Sequence, residues 1–102
     1  MKESLFFEFI RGQLGQVEDI IKRKSKEYTS GYDSLETYRK AGDYLGNVTP
    51  EDVILSRIVE KMERLRHDRE YNKELSKDAL LDIIGHTLFI LAFQYERKKL
   101  DF

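Results

Sequence analysis

The sequence predicts an all-α protein, a four-helix, bundle-like single domain that spans residues 1–102. Three observations support this fold class. The chain has 102 residues, which is enough for one hydrophobic core and no more. It contains a single proline and many charged residues, so few positions break a helix. Its apolar residues recur every three or four positions along most of the chain, which is the spacing of one helix face.

The first predicted helix covers residues 2 to about 26. Its apolar stripe consists of Phe6, Ile10, Leu14, Val17 and Ile21. It ends in a basic run made of Lys22, Arg23, Lys24 and Lys26. These cations suit the carboxyl end of a helix because of its dipole, and they could equally hold the phosphate groups of a ligand.

A loop is predicted over residues 27–33, where turn-forming residues are frequent. Tyr28 in this loop would either stack on a base or cover the edge of the core. The second helix is expected over residues 34–45, and Gly46 with Asn47 ends it as a left-handed cap.

The clearest start signal in the chain belongs to the third helix. Thr49 supplies an N-cap hydroxyl, and Pro50 occupies the first helical position. The helix is expected to run to about residue 67, with a core face made of Ile54, Leu55, Ile58, Val59, Met62 and Leu65. A polar connection over residues 68–75 leads to Ser76, the predicted N-cap of the fourth helix.

The fourth helix, residues 76–99, is the most apolar stretch, yet Asp78, Asp82 and His86 lie along one of its sides. Burying such groups is costly unless they meet cations, hydrogen-bond partners, a metal ion or a wet cavity. His86 is expected to be a hydrogen-bonded core residue rather than a ligand or a base.

Helices three and four each carry two acidic residues at helical spacing. They are Glu60 and Glu63 on helix three and Asp78 and Asp82 on helix four. These carboxylates could bind Mg²⁺ or Mn²⁺, which prefer oxygen ligands. Alternatively, Lys61 or Arg64 neutralises Asp82 in a structural ion pair. The helical wheel places Glu60 opposite the apolar stripe, so it should face solvent or a partner chain.

Charge and composition argue against several functional classes. A net charge of −1 creates no field that would attract nucleic acid. The lack of cysteine excludes disulfides and thiolate chemistry. The amino terminus does not resemble a signal peptide, and no stretch is expected to span a bilayer, so we expect a cytoplasmic protein without a membrane partner.

Helices one and four offer more apolar surface than a short bundle needs, which predicts a homo-oligomer.

Several short motifs occur in an order that resembles a known family. They are Lys-Glu-Tyr at 26–28, Leu-x-x-Tyr-x-x-Ala-x-x-Tyr-Leu-Gly at 35–46, Thr-Pro-Glu-Asp-Val at 49–53, Lys-x-x-Arg-Leu at 61–65 and Asp-x-x-x-Asp-Ile-x-Gly-His at 78–86. Over roughly residues 22–93, the chain resembles small phage and prophage proteins that are related to the all-α, MazG-like nucleoside triphosphate pyrophosphohydrolases.

This resemblance implies a MazG-like dimer or tetramer in the host cytoplasm. In the wider superfamily, a Glu-x-x-Glu on one helix and a Glu-x-x-Asp on the next hold Mg²⁺ for the release of pyrophosphate from a nucleotide. Glu60 and Glu63 match the first pair in spacing, and Asp82 matches the final aspartate. Ala79 stands where the remaining glutamate is expected, so Asp78 would have to substitute for it.

Two functions follow from these residues and this resemblance. The first is a Mg²⁺-dependent nucleotide pyrophosphohydrolase or a nucleotide binder, with Lys24, Lys61 or Arg64 contacting phosphate. The phage proteins more often carry Lys-x-x-Arg on helix three, which Lys61 and Arg64 match. The alternative is a non-catalytic helical oligomer that acts in host takeover or as a structural accessory. In it, Asp78, Asp82 and His86 form a buried polar network with Lys61 and Arg64.

Overall fold

Four helices make up the protein. The structure is a computed structural model that describes residues 1–28 and 35–97. In the first of these ranges, it describes the side chains of residues 1–25. The helices are α1 (Glu3–Tyr28), α2 (Glu36–Tyr44), α3 (Pro50–Glu70) and α4 (Lys77–Glu96). The described residues contain no strand, so the predicted all-α class and its four helices are confirmed. Tyr28, predicted to lie in a loop, is the last residue of α1, and its side chain lies outside the described part.

Helices α3 and α4 form the centre of the packing. They pack on each other, α1 packs on α4, and α2 packs mainly on α3. The most deeply buried apolar residues come from three helices and are Val17, Val53, Ile54, Ala79, Leu81 and Phe93. Gly85 of α4 packs against Val17 and Ile21 of α1. Only the second half of α1 therefore joins this core.

The predicted helix boundaries at the start of α3 and α4 are confirmed by hydrogen bonds. The Thr49 hydroxyl accepts from the Asp52 backbone N–H at 3.2 Å. The Ser76 hydroxyl accepts from the backbone N–H of Ala79, also at 3.2 Å. After α2, Gly46 adopts a φ of 89° and thereby makes the expected left-handed turn.

The connection between α3 and α4 is organised by one buried carboxylate. Asp68 is 6% exposed, and its Oδ2 accepts a hydrogen bond from the Ser76 backbone N–H at 2.9 Å. Its backbone carbonyl accepts from Lys73 N–H at 2.8 Å, and Arg64 Nε lies 3.8 Å from its Oδ1. Helix α3 continues to Glu70, so Asp68 belongs to its last turn and not to the polar connection predicted from sequence.

Much of the apolar surface of the helices is not covered within one chain. On α3, Leu55, Val59 and Met62 are exposed, so the predicted core face of this helix is wrong for half of its members. The exposed apolar residues of the other two long helices are Leu5, Phe6, Phe7, Phe9 and Leu14 on α1, and Leu80, Ile84, Leu88 and Leu91 on α4. The folded chain therefore presents a large apolar surface to its surroundings.

The sequence analysis predicts that no stretch spans a bilayer, and helix α4 differs from this expectation. Among the described residues, it is the one helix long and apolar enough to cross a bilayer, judged by length and composition alone. The core helix of a soluble protein passes the same test. Asp82 and His86 in the middle of this helix meet polar groups of α1, α2 and α3, as described below.

Candidate functional site

A cavity of about 370 Å³ lies where the four helices meet. We call it the central cavity. Its lining residues are Val17, Ile20, Ile21, Lys24 and Ser25 of α1; Thr37 and Tyr38 of α2; Arg57, Glu60 and Lys61 of α3; and Leu81, Asp82, Gly85, His86 and Phe89 of α4. Apolar residues thus share the lining with three cations, two carboxylates and several groups that can form hydrogen bonds.

Asp82 is the electrostatic centre of this cavity. Lys61 Nζ of α3 lies 3.2 Å from Asp82 Oδ2, and Lys24 Nζ of α1 lies 3.7 Å from Asp82 Oδ1. The Asp82 side chain is only 16% exposed, so each of its oxygens faces an ammonium group in a partly desolvated setting. The structure thus brings together Asp82 with one of its two anticipated partners, Lys61. The other, Arg64, pairs with Asp68 instead.

His86 and Tyr38 form the second polar contact of the cavity. Tyr38 Oη lies 3.5 Å from His86 Nδ1, and the Tyr38 ring meets Phe89 edge to face with centroids 5.0 Å apart. Burial raises the pKa of the Tyr38 hydroxyl, so this group stays protonated at neutral pH. His86 is half-buried and lies one helical turn after Asp82.

Burial also lowers the pKa of the His86 imidazole below its usual value. The Asp82 carboxylate opposes this shift, whereas the charges of Lys24, Lys61 and Arg57 add to it. A neutral imidazole therefore lies beside the cations of the cavity at neutral pH.

This shift gives a pH dependence of stability. In the unfolded chain, His86 binds a proton below about pH 6.5, whereas the folded chain resists protonation. The contribution of the neutral imidazole is complete above that pH and is lost as the pH falls towards the folded-state pKa. The free energy of unfolding, measured with urea, should therefore decrease more between about pH 7.5 and 5.5 in the unmodified chain than in His86→Gln. Equal decreases in the two proteins would contradict this, and His67→Gln is the matched control.

A second depression, of about 250 Å³, adjoins the first. We call it the side depression. It is lined by Glu60, Lys61, Arg64, Ser76, Asp78, Ala79 and Asp82. The structure therefore gathers three of the four candidate metal ligands around one small depression. It does not bring Glu63 there, because Glu63 lies on the exposed surface of α3, with its Oε2 3.5 Å from Arg66 Nη1.

The residues of the side depression do not fit a Mg²⁺ site as they are arranged. Carboxylates are suitable ligands. In the described part of the chain, however, no group of three acidic, histidine or cysteine residues could hold one metal ion. Lys61 and Lys24 face the two oxygens of Asp82, and Ala79 offers no side-chain donor. Glu60 is also paired with a cation, since Arg57 Nη1 lies 3.7 Å from Glu60 Oε2.

Four polar residues that line the central cavity were not identified from sequence as site residues, and they are Ser25, Thr37, Tyr38 and Arg57. Arg57 precedes Lys61 by one helical turn, a spacing that places two cations on one side of α3. Ser25 and Thr37 are neighbours of Lys24 and Tyr38, but nothing in their sequence context distinguishes them from ordinary surface hydroxyls. Only the meeting of α1 and α2 identifies them.

Comparison of the chain with protein-family models, with curated proteins and with solved structures gives no match.

Proposed function

We propose that this protein binds a phosphorylated small molecule of the nucleotide class in the central cavity. The observation that supports this proposal most is the placement of Lys24, Arg57 and Lys61 in one cavity lining together with aromatic side chains. Clustered lysine and arginine side chains bind phosphate, and aromatic and apolar side chains accept a base.

Two of the cations, Lys24 and Lys61, are already paired with one carboxylate before a ligand arrives. Asp82 fixes Lys24 and Lys61, which come from different helices, and Glu60 lies beside Arg57. A side chain that is already ordered loses less conformational entropy on binding, so a preorganised set of cations supports higher affinity than mobile surface lysines.

The remaining lining suits the other half of a nucleotide. Tyr38 and Phe89 offer aromatic surface, and the neutral imidazole of His86 can both donate and accept a hydrogen bond. The volume of about 370 Å³ falls within the range of roughly 300–1000 Å³ that is usual for small-molecule sites. One mononucleotide-sized ligand is therefore the scale to test first.

Hydrolysis of a nucleoside triphosphate is the catalytic version of this proposal. The MazG-like resemblance and the three carboxylates around the side depression support it. Against it, Asp82 is engaged by two lysines, and Ala79 stands in place of an acid. We therefore propose ligand binding as the function and treat Mg²⁺-dependent release of pyrophosphate as an activity to be measured alongside it.

The proposal predicts a thermal shift with nucleotides. We expect at least one nucleoside mono-, di- or triphosphate to raise Tm by several degrees, because a ligand at 100 times its Kd stabilises the folded chain by about 2.7 kcal/mol. The panel is measured with and without Mg²⁺ or Mn²⁺, and pyrophosphate release is followed in the same samples. Lys24→Ala should reduce the shift, whereas Lys22→Ala, whose side chain pairs with Glu18 on the exposed surface, should leave it unchanged. A panel in which no nucleotide raises Tm would refute the proposal.

We also propose that the protein self-associates. The chain has an accessible surface of 8123 Å². A monomeric protein of its mass of 12.1 kDa is expected to have about 6000 Å². The excess is larger than the roughly 800 Å² that each partner buries in a standard interface. A near-neutral net charge of −1 also permits two copies to approach without strong repulsion.

The exposed apolar residues of α3 support a position for the second copy. On the helical wheel, Leu55, Val59 and Met62 lie on the side of α3 opposite to its cavity-lining residues. We call this surface the outer face. A face of this kind can pair with its own copy around a two-fold axis, and a chain that sediments as a monomer would contradict the proposal.

A further inference from the structure

We infer that the central cavity binds a single phosphate group without a divalent cation. Asp82 acts as an internal counter-anion that holds Lys24 and Lys61, and these two lysines contact the phosphate in place of a metal ion. This inference rests on the proposed function, since it names the class of ligand and the way in which its phosphate is held.

The geometry around Asp82 is the first support. Its two oxygens face two different ammonium groups, at 3.2 Å for Lys61 and 3.7 Å for Lys24. These lysines reach it from α3 and α1, so one carboxylate on α4 ties three helices together. The Asp82 side chain is 16% exposed, whereas Lys61 is 36% and Lys24 is 49% exposed. The carboxylate is thus the inner member of the group, and the lysine side chains retain exposed surface beside which a second anion can bind.

The charges of the cavity lining are the second support. Three cations, Lys24, Arg57 and Lys61, stand against two carboxylates, Glu60 and Asp82. With a neutral imidazole at His86, the lining has a net charge of +1. A terminal phosphate carries a charge of about −1.5 to −2 at neutral pH, so a monophosphate leaves little uncompensated charge. A triphosphate carries roughly twice that charge and would need further cations.

This arrangement determines how Asp82 should affect binding. If the lysines hold the phosphate directly, Asp82 competes with the ligand for the same two ammonium groups. Asparagine at this position keeps an oxygen that can accept a hydrogen bond from a lysine, so it retains part of the ordering of the cations while it removes the competing charge, and binding should then strengthen. If a metal ion held the phosphate, removal of this carboxylate would eliminate a ligand of the metal and weaken binding. The direction of the effect therefore distinguishes the two cases.

The test is isothermal titration of AMP, GMP, CMP and UMP into the purified chain in the presence of EDTA. We expect at least one of them to bind, and we expect excess Mg²⁺ to change its Kd by less than about twofold. Asp82→Asn, whose side chain has nearly the same shape, should lower the Kd by about 3- to 10-fold. Lys61→Ala should raise it by about 10-fold or more. Glu63→Gln is the matched control for loss of a carboxylate on α3, and it should have no effect because Glu63 lines neither depression.

The outcomes separate this inference from the proposed function. Binding only of a nucleoside triphosphate, and only with Mg²⁺, would overturn the inference and leave the proposed function intact. Weaker binding by a folded Asp82→Asn chain would also overturn it. If Asp82→Asn does not fold, the Mg²⁺ dependence of the unmodified chain and the Lys61→Ala titration decide the question. Absence of binding by every nucleotide under every condition refutes the proposed function and this inference with it.

Discussion

Phe93→Ala should lower the free energy of unfolding by about 3–5 kcal/mol, as is usual when a fully buried phenylalanine is truncated. Phe93 is 1% exposed and is among the most deeply buried side chains of the described part. Two arginines also lie over its ring, with the Cζ atoms of Arg39 and Arg97 each 5.6 Å from the ring centroid. The substitution therefore leaves a void and removes the surface on which both guanidinium groups rest.

Such a loss is large for a chain of this size. Domains are stable by only about 5–15 kcal/mol, so Phe93→Ala should shift the urea midpoint far down or leave the chain partly unfolded. Unfolding is followed by circular dichroism at one fixed protein concentration, since self-association would otherwise contribute. Tyr44→Ala is the control. Tyr44 is 92% exposed, and its truncation should change stability by no more than about 0.5 kcal/mol. Similar effects of the two substitutions would show that Phe93 is not part of the core.

The helices could be predicted from sequence because their signals are local. Thr49 and Ser76 are strong N-caps, and each makes the expected side-chain hydrogen bond. Gly46 ends α2 in the left-handed conformation that favours glycine. Each of these signals depends on residues no more than a few positions apart, and the tertiary structure does not overrule them.

Which apolar residues face the interior could not be predicted in the same way. The spacing of Ile54, Leu55, Val59 and Met62 shows that one broad side of α3 is apolar, but Ile54 alone of these is buried. The stripe is wider than the area that α2 and α4 cover. Sequence periodicity indicates that a helix has apolar neighbours, yet it does not indicate whether they belong to the same chain.

The candidate site was predictable only in part, for a related reason. The four carboxylates were recognised by their spacing within α3 and α4, and three of them do line one depression. The partners of these carboxylates are set by tertiary packing. Lys24 of α1 reaches Asp82 across the bundle, and Arg64 turns to Asp68 because the last turn of α3 buries that carboxylate. Spacing along one helix contains no information about the Lys24 contact, whereas Arg64 and Asp68 lie four positions apart on α3, a spacing that could have been recognised.

The placement of Asp82 explains how the most apolar helix accommodates a charge. An unpaired carboxylate at this depth would cost several kcal/mol, and two ammonium groups offset that cost. The same pairing orders two cations at a cavity with apolar walls. One residue thus accounts both for the tolerance of charge in α4 and for the anion-binding character that we propose.

Val59→Glu should convert the self-associated protein to a monomer. Val59 is 57% exposed in the single chain and lies on the outer face, where we propose that the second copy binds. In that complex the new carboxylate would be buried without a partner, and burying an unpaired charge is expected to raise the dissociation constant at least about 100-fold. Sedimentation velocity over a range of protein concentrations measures the change directly.

The central cavity provides an internal check on this result. Val59 does not line the cavity, so a folded Val59→Glu monomer should retain nucleotide binding if one chain supplies the whole site. Lys40→Ala on α2 makes the same change in net charge at an exposed ion pair with Glu36 and should leave the sedimentation coefficient unchanged. Unchanged self-association of Val59→Glu would remove the outer face as the interface. If Val59→Glu forms a monomer and loses its helical signal, folding itself depends on the second copy, because one chain buries too little of its apolar surface alone.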